Sequence, residues 1–392
     1  MYSEFRNPEA KGLFFLLPTE VFMDHLLTLT WQQFAMYGIG GLLIYLAIAK
    51  DYEPMLLLPI GFGAILVNLP LAVVLGTPDH PGALQLLFDY GIMTELFPLL
   101  IFIGVGAMID FRPFLKRPWL IIFGIIGHCG IFIAAAVAFF LFGFDIKQAL
   151  SIGTIGAADG PTAILVAGRH AKELLGPITV VAYSYMSLVP IIMPPVIKLL
   201  TSKKERMMRI SGEDTDVPRV VVILFPVLVT LIVSILIPAA AALIGFLMFG
   251  NLIRESGVLE KLSRAAQNEL SNIVTLLLGI SVGASMTADK FLTPQTLSIM
   301  VLGLIAFIGD TAAGVLFAKF LNLFLKKERK INPMIGACGI SAFPMASRVV
   351  QKLAFAEDKQ NYILMHAVCA NVSGQIGSLI IGGLILGYLG GL

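Results

Sequence analysis

The stretch GTIGAADGPTAI, residues 153–164, decides how the chain is read. It lies deep in an apolar sequence, yet it carries a carboxylate, Asp159, with Gly160 after it and Pro161 two positions on. Proline suits the first turn of a helix, so Pro161 predicts a half-helix whose cap falls at Gly160. A carboxylate at that end faces the positive pole of the helix and can stay charged where the dielectric is low. Asp159 then either satisfies backbone N–H groups at a helix break or, together with carbonyls freed by the break, forms an oxygen cage for Na+. A proton is the competing occupant.

The setting makes such a break meaningful. The 392 residues are 57% hydrophobic and 13% charged, with a mean hydropathy of +0.90, far from the composition of soluble domains. Apolar runs long enough to cross a bilayer recur from about residue 31 onward, separated by short polar segments. The expected fold is an all-α polytopic membrane protein, with no room for a soluble catalytic domain. The net charge of +2 implies no nucleic acid. Cys129, Cys338 and Cys369 are widely spaced among apolar residues and match neither a disulfide framework nor a metal pattern. Residues 1–30 have mixed charge and no small-residue cleavage site, so they are expected to form an interfacial segment.

Polar breaks predict spans near 31–49, 54–75, 92–109, 119–142 and 177–199, then 220–236, 238–253, 273–286, 297–325 and 359–390. Two further segments, 150–168 and 331–348, are apolar but rich in Gly and Pro, as expected of re-entrant hairpins. The halves align: LLPIGFGAILVNLP from Leu57 with LIPAAAALIGFLMFG from Leu236, and GVGAMIDF from Gly104 with SVGASMTADKF from Ser281. GTIGAADGP also aligns with GACGISAFP, placing Gly153, Gly156 and Pro161 on Gly336, Gly339 and Pro344.

An offset that stays at ~180 residues throughout signals duplication. An odd number of crossings per copy inverts the second copy. The expectation is ten transmembrane helices in two inverted repeats, 31–199 and 220–392, joined by a cytoplasmic linker at 200–219. The basic loops RPFLKRP (112–118), KKERMMR (203–209) and KKERK (326–330) then share one side, and GTPDHPGALQ (76–85), without Lys or Arg, takes the other.

A single Gly-rich break can be mere kinking or close helix packing. Two breaks at equivalent positions of an inverted repeat point to a midplane ion or substrate site. In the second hairpin Asn332 and Ser341 can supply neutral oxygens, or can instead cap a helix and bond locally. Asn371 and Ser373 add a polar patch in the last span, where Ser373 and Gly374 also suit helix packing. Arg348 and Lys352 follow the second hairpin, where they either snorkel or orient an anionic carboxylate. Tyr185 sits mid-span and could relay a proton or bond to Asp159, with Tyr183 facing elsewhere. Asp310 and His128 read as interhelical hydrogen-bonding groups. The glycines of GTIGAADG are not followed by the Lys and Ser or Thr of a phosphate loop, so ATP is not the driver.

GAADGPTAI, AYSYMSLVPIIMPP, INPMIGACGISAFPMASRVVQK and HAVCANVSGQIGS together resemble the beta subunit of the sodium-pumping, biotin-dependent decarboxylases acting on oxaloacetate, glutaconyl-CoA, methylmalonyl-CoA or malonate. The resemblance runs from about residue 30 to the end. It departs at Ala157, where a second glycine is common, and at Ser347, where alanine is frequent. It implies a multi-pass subunit of the bacterial cytoplasmic membrane that decarboxylates carboxybiotin, exports Na+ and consumes a proton.

The same resemblance implies cofactors and partners: Na+, and biotin carried on a separate carrier protein or domain. It also implies a carboxyltransferase alpha subunit, a small membrane gamma or delta subunit, and a homo-oligomeric beta subunit. By motif, Asp159, Asn332, Ser341 and Asn371 are Na+-site residues, Tyr185 handles a proton, and Arg348 with Lys352 contacts carboxybiotin. Gly153, Gly156, Gly336 and Gly339 are close-packing positions. The alternative from the residues alone is an Na+- or H+-coupled carrier of organic anions on the same fold.

Overall fold

A computed structural model describes residues 29–51, 54–70, 74–76, 80–210, 217–326 and 330–391. The interfacial segment expected for residues 1–30 lies outside these but for its last two residues, as do 211–216 of the linker and 327–329 of the third basic loop. The described residues are mostly helical, with no strand among them. The first helices are α1 (Trp31–Lys50), α2 (Pro54–Val67), α3 (Leu96–Met108) and α4 (Pro118–Phe142), followed by the short α5 (Ile146–Gly153) and α6 (Gly160–His170) and then α7 (Leu175–Leu200). The second half holds α8 (Arg219–Leu236), α9 (Ala241–Ser256), α10 (Ser271–Ala284), α11 (Pro294–Phe324), α12 (Met345–Glu357) and α13 (Leu364–Gly390).

Six of these helices are long and apolar enough to span a membrane by themselves, and two bent pairs raise the number to eight. One pair joins Ala83–Ile92 to α3 across a 61° bend; the other lies within α7, whose interior holds Pro190, Pro194 and Pro195. Each of these prolines removes an intrahelical donor and crowds the preceding turn, which accounts for bending there. Burial separates lipid-facing from central helices. The most apolar window of α13 is 78% buried and that of α8 only 11%. A helix apolar all round and enclosed by protein must satisfy its polar groups within the bundle, and α13 is the one richest in Asn, Gln and Ser.

The same pairings occur in each half. Helix α1 packs on α2 as α8 packs on α9; α2 packs on α10 of the other half as α9 packs on α3. Asn68, just past the end of α2, donates to Met286 O at 2.8 Å and accepts from Ala288 N at 2.8 Å. Asn251 in α9 donates to Ile109 O at 2.8 Å. These two asparagines are 183 positions apart in the chain, the separation of Gly153 from Gly336. Each ties a helix of its own half to the segment just past a helix end of the other.

Both expected hairpins are broken helices. Helix α5 opens on a capping box, with Asp145 accepting from Gln148 N, and passes into a 3-10 turn over Thr154–Ala157. Ala158 then adopts a left-handed backbone, φ +52°, and α6 starts from Asp159 with proline in its first turn. The second hairpin opens with Asn332 capping a 3-10 segment over Pro333–Cys338 and resumes helix at Met345, after Pro344. Helix α4 flanks the first break and α11 the second, and α4 and α11 pack on each other. The breaks therefore meet in the middle of the bundle.

Candidate functional site

The meeting point is a backbone hydrogen bond: Ser341 N, in the second break, donates to Ala157 O, in the first, at 2.9 Å. Neither group is inside a regular helix, so each is available to the other. Beside it Asp159, 3% exposed, is the N-cap of α6. Its Oδ2 accepts from the Thr162 hydroxyl at 2.7 Å and from the Ser378 hydroxyl at 2.7 Å, and Oδ1 accepts from Thr162 N at 3.5 Å. The Ser378 oxygen also lies 3.1 Å from Ser341 Oγ and 3.0 Å from Gln375 O. Its single proton serves the nearest of the three, the carboxylate, which leaves Ser341 to donate toward Ser378.

One carboxylate surrounded by three neutral hydroxyls, without a cationic side chain in contact among the described residues, holds a single negative charge inside the bundle. That charge suits one monovalent hard cation or one proton. Asn371 lies two turns from Ser378 on the same side of α13, about 10 Å along the helix axis at 1.5 Å per residue. Its amide donates to Ile340 O at 2.7 Å and to Cys338 O at 3.4 Å, and its Oδ1 is buried without a partner among the described residues. Asn371 is thus pinned to the second break with an oxygen to spare.

The structure takes Asn332 elsewhere. Its amide donates to Arg206 O at 3.0 Å and Met208 O at 2.9 Å, and its Oδ1 accepts from Met334 N at 3.1 Å. Asn332 fastens the linker to the mouth of the second hairpin and is not brought to Asp159. The two tyrosines also exchange the places expected of them. Tyr185 donates to Met300 O on α11 at 2.6 Å. The ring of Tyr183 instead stands where a Cβ on Gly160 would be, next to Asp159. The helical period accounts for the exchange, since residues two apart point some 200° away from each other.

Arg348 and Lys352 lie one turn apart on the exposed side of α12. Gly336 meets Gly314 of α11 backbone to backbone, Gly339 faces Phe123 O, Gly153 faces Ile131 O, and Gly156 faces the Asp310 carboxylate. Asp310 accepts from Gly130 N of α4, an interhelical bond as expected. His128 bonds within its own helix, to Gly124 O, where an interhelical partner was expected.

Thr162 and Ser378 are the contacts that reading the residues missed. Ser378 closes the motif HAVCANVSGQIGS, and Asn371, Gln375 and Ser378, spaced four and three apart, form one polar stripe on an otherwise apolar helix. That stripe was the available signal.

Comparison with known proteins covers nearly the whole chain. A family model described as the Na+-transporting oxaloacetate decarboxylase beta subunit matches residues 32–389. The glutaconyl-CoA decarboxylase subunit beta of Acidaminococcus fermentans is 48% identical over 362 residues, covering 92% of this chain and 94% of its own. The oxaloacetate decarboxylase beta chain 2 of Salmonella typhimurium is 46% identical, covering 91% of this chain and 95% of its own. The methylmalonyl-CoA decarboxylase subunit beta of Propionigenium modestum is 44% identical, covering 90% and 93%.

Proposed function

The chain belongs to the family of Na+-transporting decarboxylase beta subunits, and from that premise we propose that it decarboxylates carboxybiotin and couples this to Na+ export with uptake of one proton. It is a multi-pass membrane subunit of a decarboxylase complex, with a role in sodium pumping. The proposed partners are a carboxyltransferase subunit, a biotin carrier and a small membrane subunit, with the beta subunit itself oligomeric. Biotin arrives as substrate on the carrier, and Na+ is cargo.

The observation that carries the reading is the contact of Ser378 with Asp159, beside the bond between Ser341 and Ala157. In this reading Asp159, Thr162, Ser341 and Ser378 take the cation in turn with a proton, and Asn371 offers an oxygen on the approach. Asn332 acts by holding the hairpin mouth. Tyr183 shields the carboxylate, and Tyr185 braces α7 on α11. Arg348 and Lys352, exposed on α12, meet the carboxylate of carboxybiotin.

Protonation of Asp159 and binding of Na+ exclude each other on one charge: Na+ entering displaces the Asp159 proton, which goes to the biotin nitrogen as its bond to the departing CO2 breaks, and the one proton then taken up by Asp159 releases the ion. Two inverted repeats with ten crossings are part of the proposal, supported by the reciprocal Asn68 and Asn251 ties. Rocking of the hairpin-bearing bundle then gives alternating access.

Reconstitution in sealed vesicles tests it. Free N-carboxybiotin should release CO2 faster with Na+ present, and 22Na+ should move in step. Anion uptake without CO2 release, or CO2 release indifferent to Na+, overturns the reading.

A further inference from the structure

A cavity of about 360 Å3 opens on the linker side of the bundle. Its wall includes Asp110, Arg112, Lys116 and Arg117, from the loop between α3 and α4, facing His366 and Cys369 of α13. The acidic member is already engaged: Asp110 pairs with Arg112 at 3.2 Å and with Arg254 at 3.9 Å. Both arginines also reach Glu255, at 2.5 and 3.3 Å, so these four charges close on themselves.

Arg117 stands apart from that network. Its guanidinium donates to His366 Nε2 at 2.6 Å, so its near partner is a ring nitrogen and not a carboxylate. A nitrogen that accepts a guanidinium proton carries none of its own, which puts the ring proton on Nδ1 and leaves the imidazole neutral in this contact. The charge on Arg117 is therefore not cancelled within the pair, and the fork keeps donors for a planar anion. His366 is only 8% exposed, so packing fixes the pair's direction.

Cys369 lies two residues from Asn371 and nine from Ser378, about 3 and 14 Å along the helix axis and on the opposite face of α13, so the cavity sits across that helix from the ion site. The cavity's volume suits the fused-ring head of a cofactor bearing one carboxylate. Arg348 and Lys352 do not line it.

We propose that Arg117 and His366 form a receiving seat for the N-carboxylate of carboxybiotin on the linker side, ahead of the contact with α12. No bond is made or broken at this seat. The inference rests on the reading above that carboxybiotin is the substrate, and it adds where that substrate first docks.

The test uses the intact complex carrying Met365→Cys, a cavity residue that is 57% exposed, and follows alkylation of that cysteine by peptide mass. Freshly prepared N-carboxybiotin should slow labelling at least threefold, while biotin and inorganic phosphate at equal concentration should not. In Arg117→Gln the protection should vanish, with the ligand-free labelling rate as the check that the cavity is intact.

No protection in the protein that keeps Arg117, equal protection by biotin or phosphate, or protection surviving Arg117→Gln overturns the seat. The first two outcomes need no arginine variant, so they stand even where Arg117→Gln does not fold. CO2 release is measured separately. Protection without Na+-stimulated CO2 release defeats the pump reading and leaves the seat; the converse defeats the seat alone.

Discussion

The Ser378 hydroxyl lies 2.7 Å from Asp159 Oδ2, joining residues 219 positions apart. Asp159 belongs to the first hairpin, Ser378 to the last helix, and Ser341, 3.1 Å from Ser378, to the second hairpin. A carboxylate coordinated from three separate elements is sensitive to small displacements of any of them. Movement of the hairpins against α13 would change the donors to Asp159 without any residue unfolding, which is what an alternating-access site requires.

Ser378→Ala should therefore weaken Na+ binding without abolishing it. A hydrogen bond to a charged group contributes about 1.5–3 kcal/mol, and about 1.4 kcal/mol is tenfold in affinity. The Na+ concentration giving half-maximal decarboxylation should rise about tenfold or more. Asp159→Asn should remove the Na+ dependence entirely. An unchanged half-saturation in Ser378→Ala would mean that the hydroxyl only braces the helix.

How much of this was legible in the sequence depended on the kind of signal. The breaks were legible because Gly and Pro act locally: Pro161 and Pro344 mark resumed helices whatever surrounds them. The shared spacing of the two hairpins was legible for the same reason. Which tyrosine meets Asp159 was not, because a two-residue shift on a helix changes the facing direction and only packing fixes the rotation. Asn332 misled because a neutral amide next to a break serves equally as ligand or as tether; the linker backbone that captures it is nowhere near it in sequence. Ser378 went unread because seven residues separate it from Asn371, which is one helical face but not one local motif.

Asn332 and Asn371 should consequently differ in their effect on the Na+ half-saturation. Asn332→Ala removes both tethers to the linker carbonyls. It should lower the stability of the purified protein by about 1–3 kcal/mol, seen as a lower melting temperature, with the Na+ half-saturation shifted less than about twofold in the molecules that remain folded. Asn371→Ala should lower melting as well, because its amide gives up the bonds to Ile340 O and Cys338 O, but it should also raise that half-saturation severalfold, since Oδ1 has no partner among the described residues and is open to the ion. The reverse pattern would return Asn332 to the ion.

Gly336→Ala is expected to damage the scaffold and not the chemistry directly. A Cβ there would strike the backbone carbonyl of Gly314, and one on Gly314 would strike Gly336 in return. Neither atom is the tip of a movable side chain, so α11 and the second break must separate. Overpacking of this kind destabilises by about 1–3 kcal/mol. Melting should fall for either single substitution. In the double substitution the separation is forced once, so the combined loss should be smaller than the sum of the two. Strict additivity would show that the two glycines do not share a contact.

The ion pairs of Arg209 with Asp358 and of Lys319 with Glu205 clamp the linker, and this clamp should loosen in acid. Arg209 lies 2.8 Å from Asp358, and its hydrogen bond, with one from Gln360 N, holds the Asp358 carboxyl below the ordinary range. Burial pushes the Glu205 carboxyl up, but hydrogen bonds from Ser202 together with Lys319 outweigh it and hold this group low as well. A carboxyl whose folded pKa is depressed adds stability that is fully present above its unfolded value, about 4, and that is lost as pH falls through the folded value. The contribution of these groups should therefore be flat from pH 7 to about 5 and decline below about 4. The melting temperature of the detergent-purified protein, followed from pH 7 down to about 3, isolates it by difference. Arg209→Gln combined with Lys319→Gln should start lower at pH 7 and lose less on acidification than the parent. An acid-induced drop as large in the double variant as in the parent would place the acid sensitivity outside the clamp.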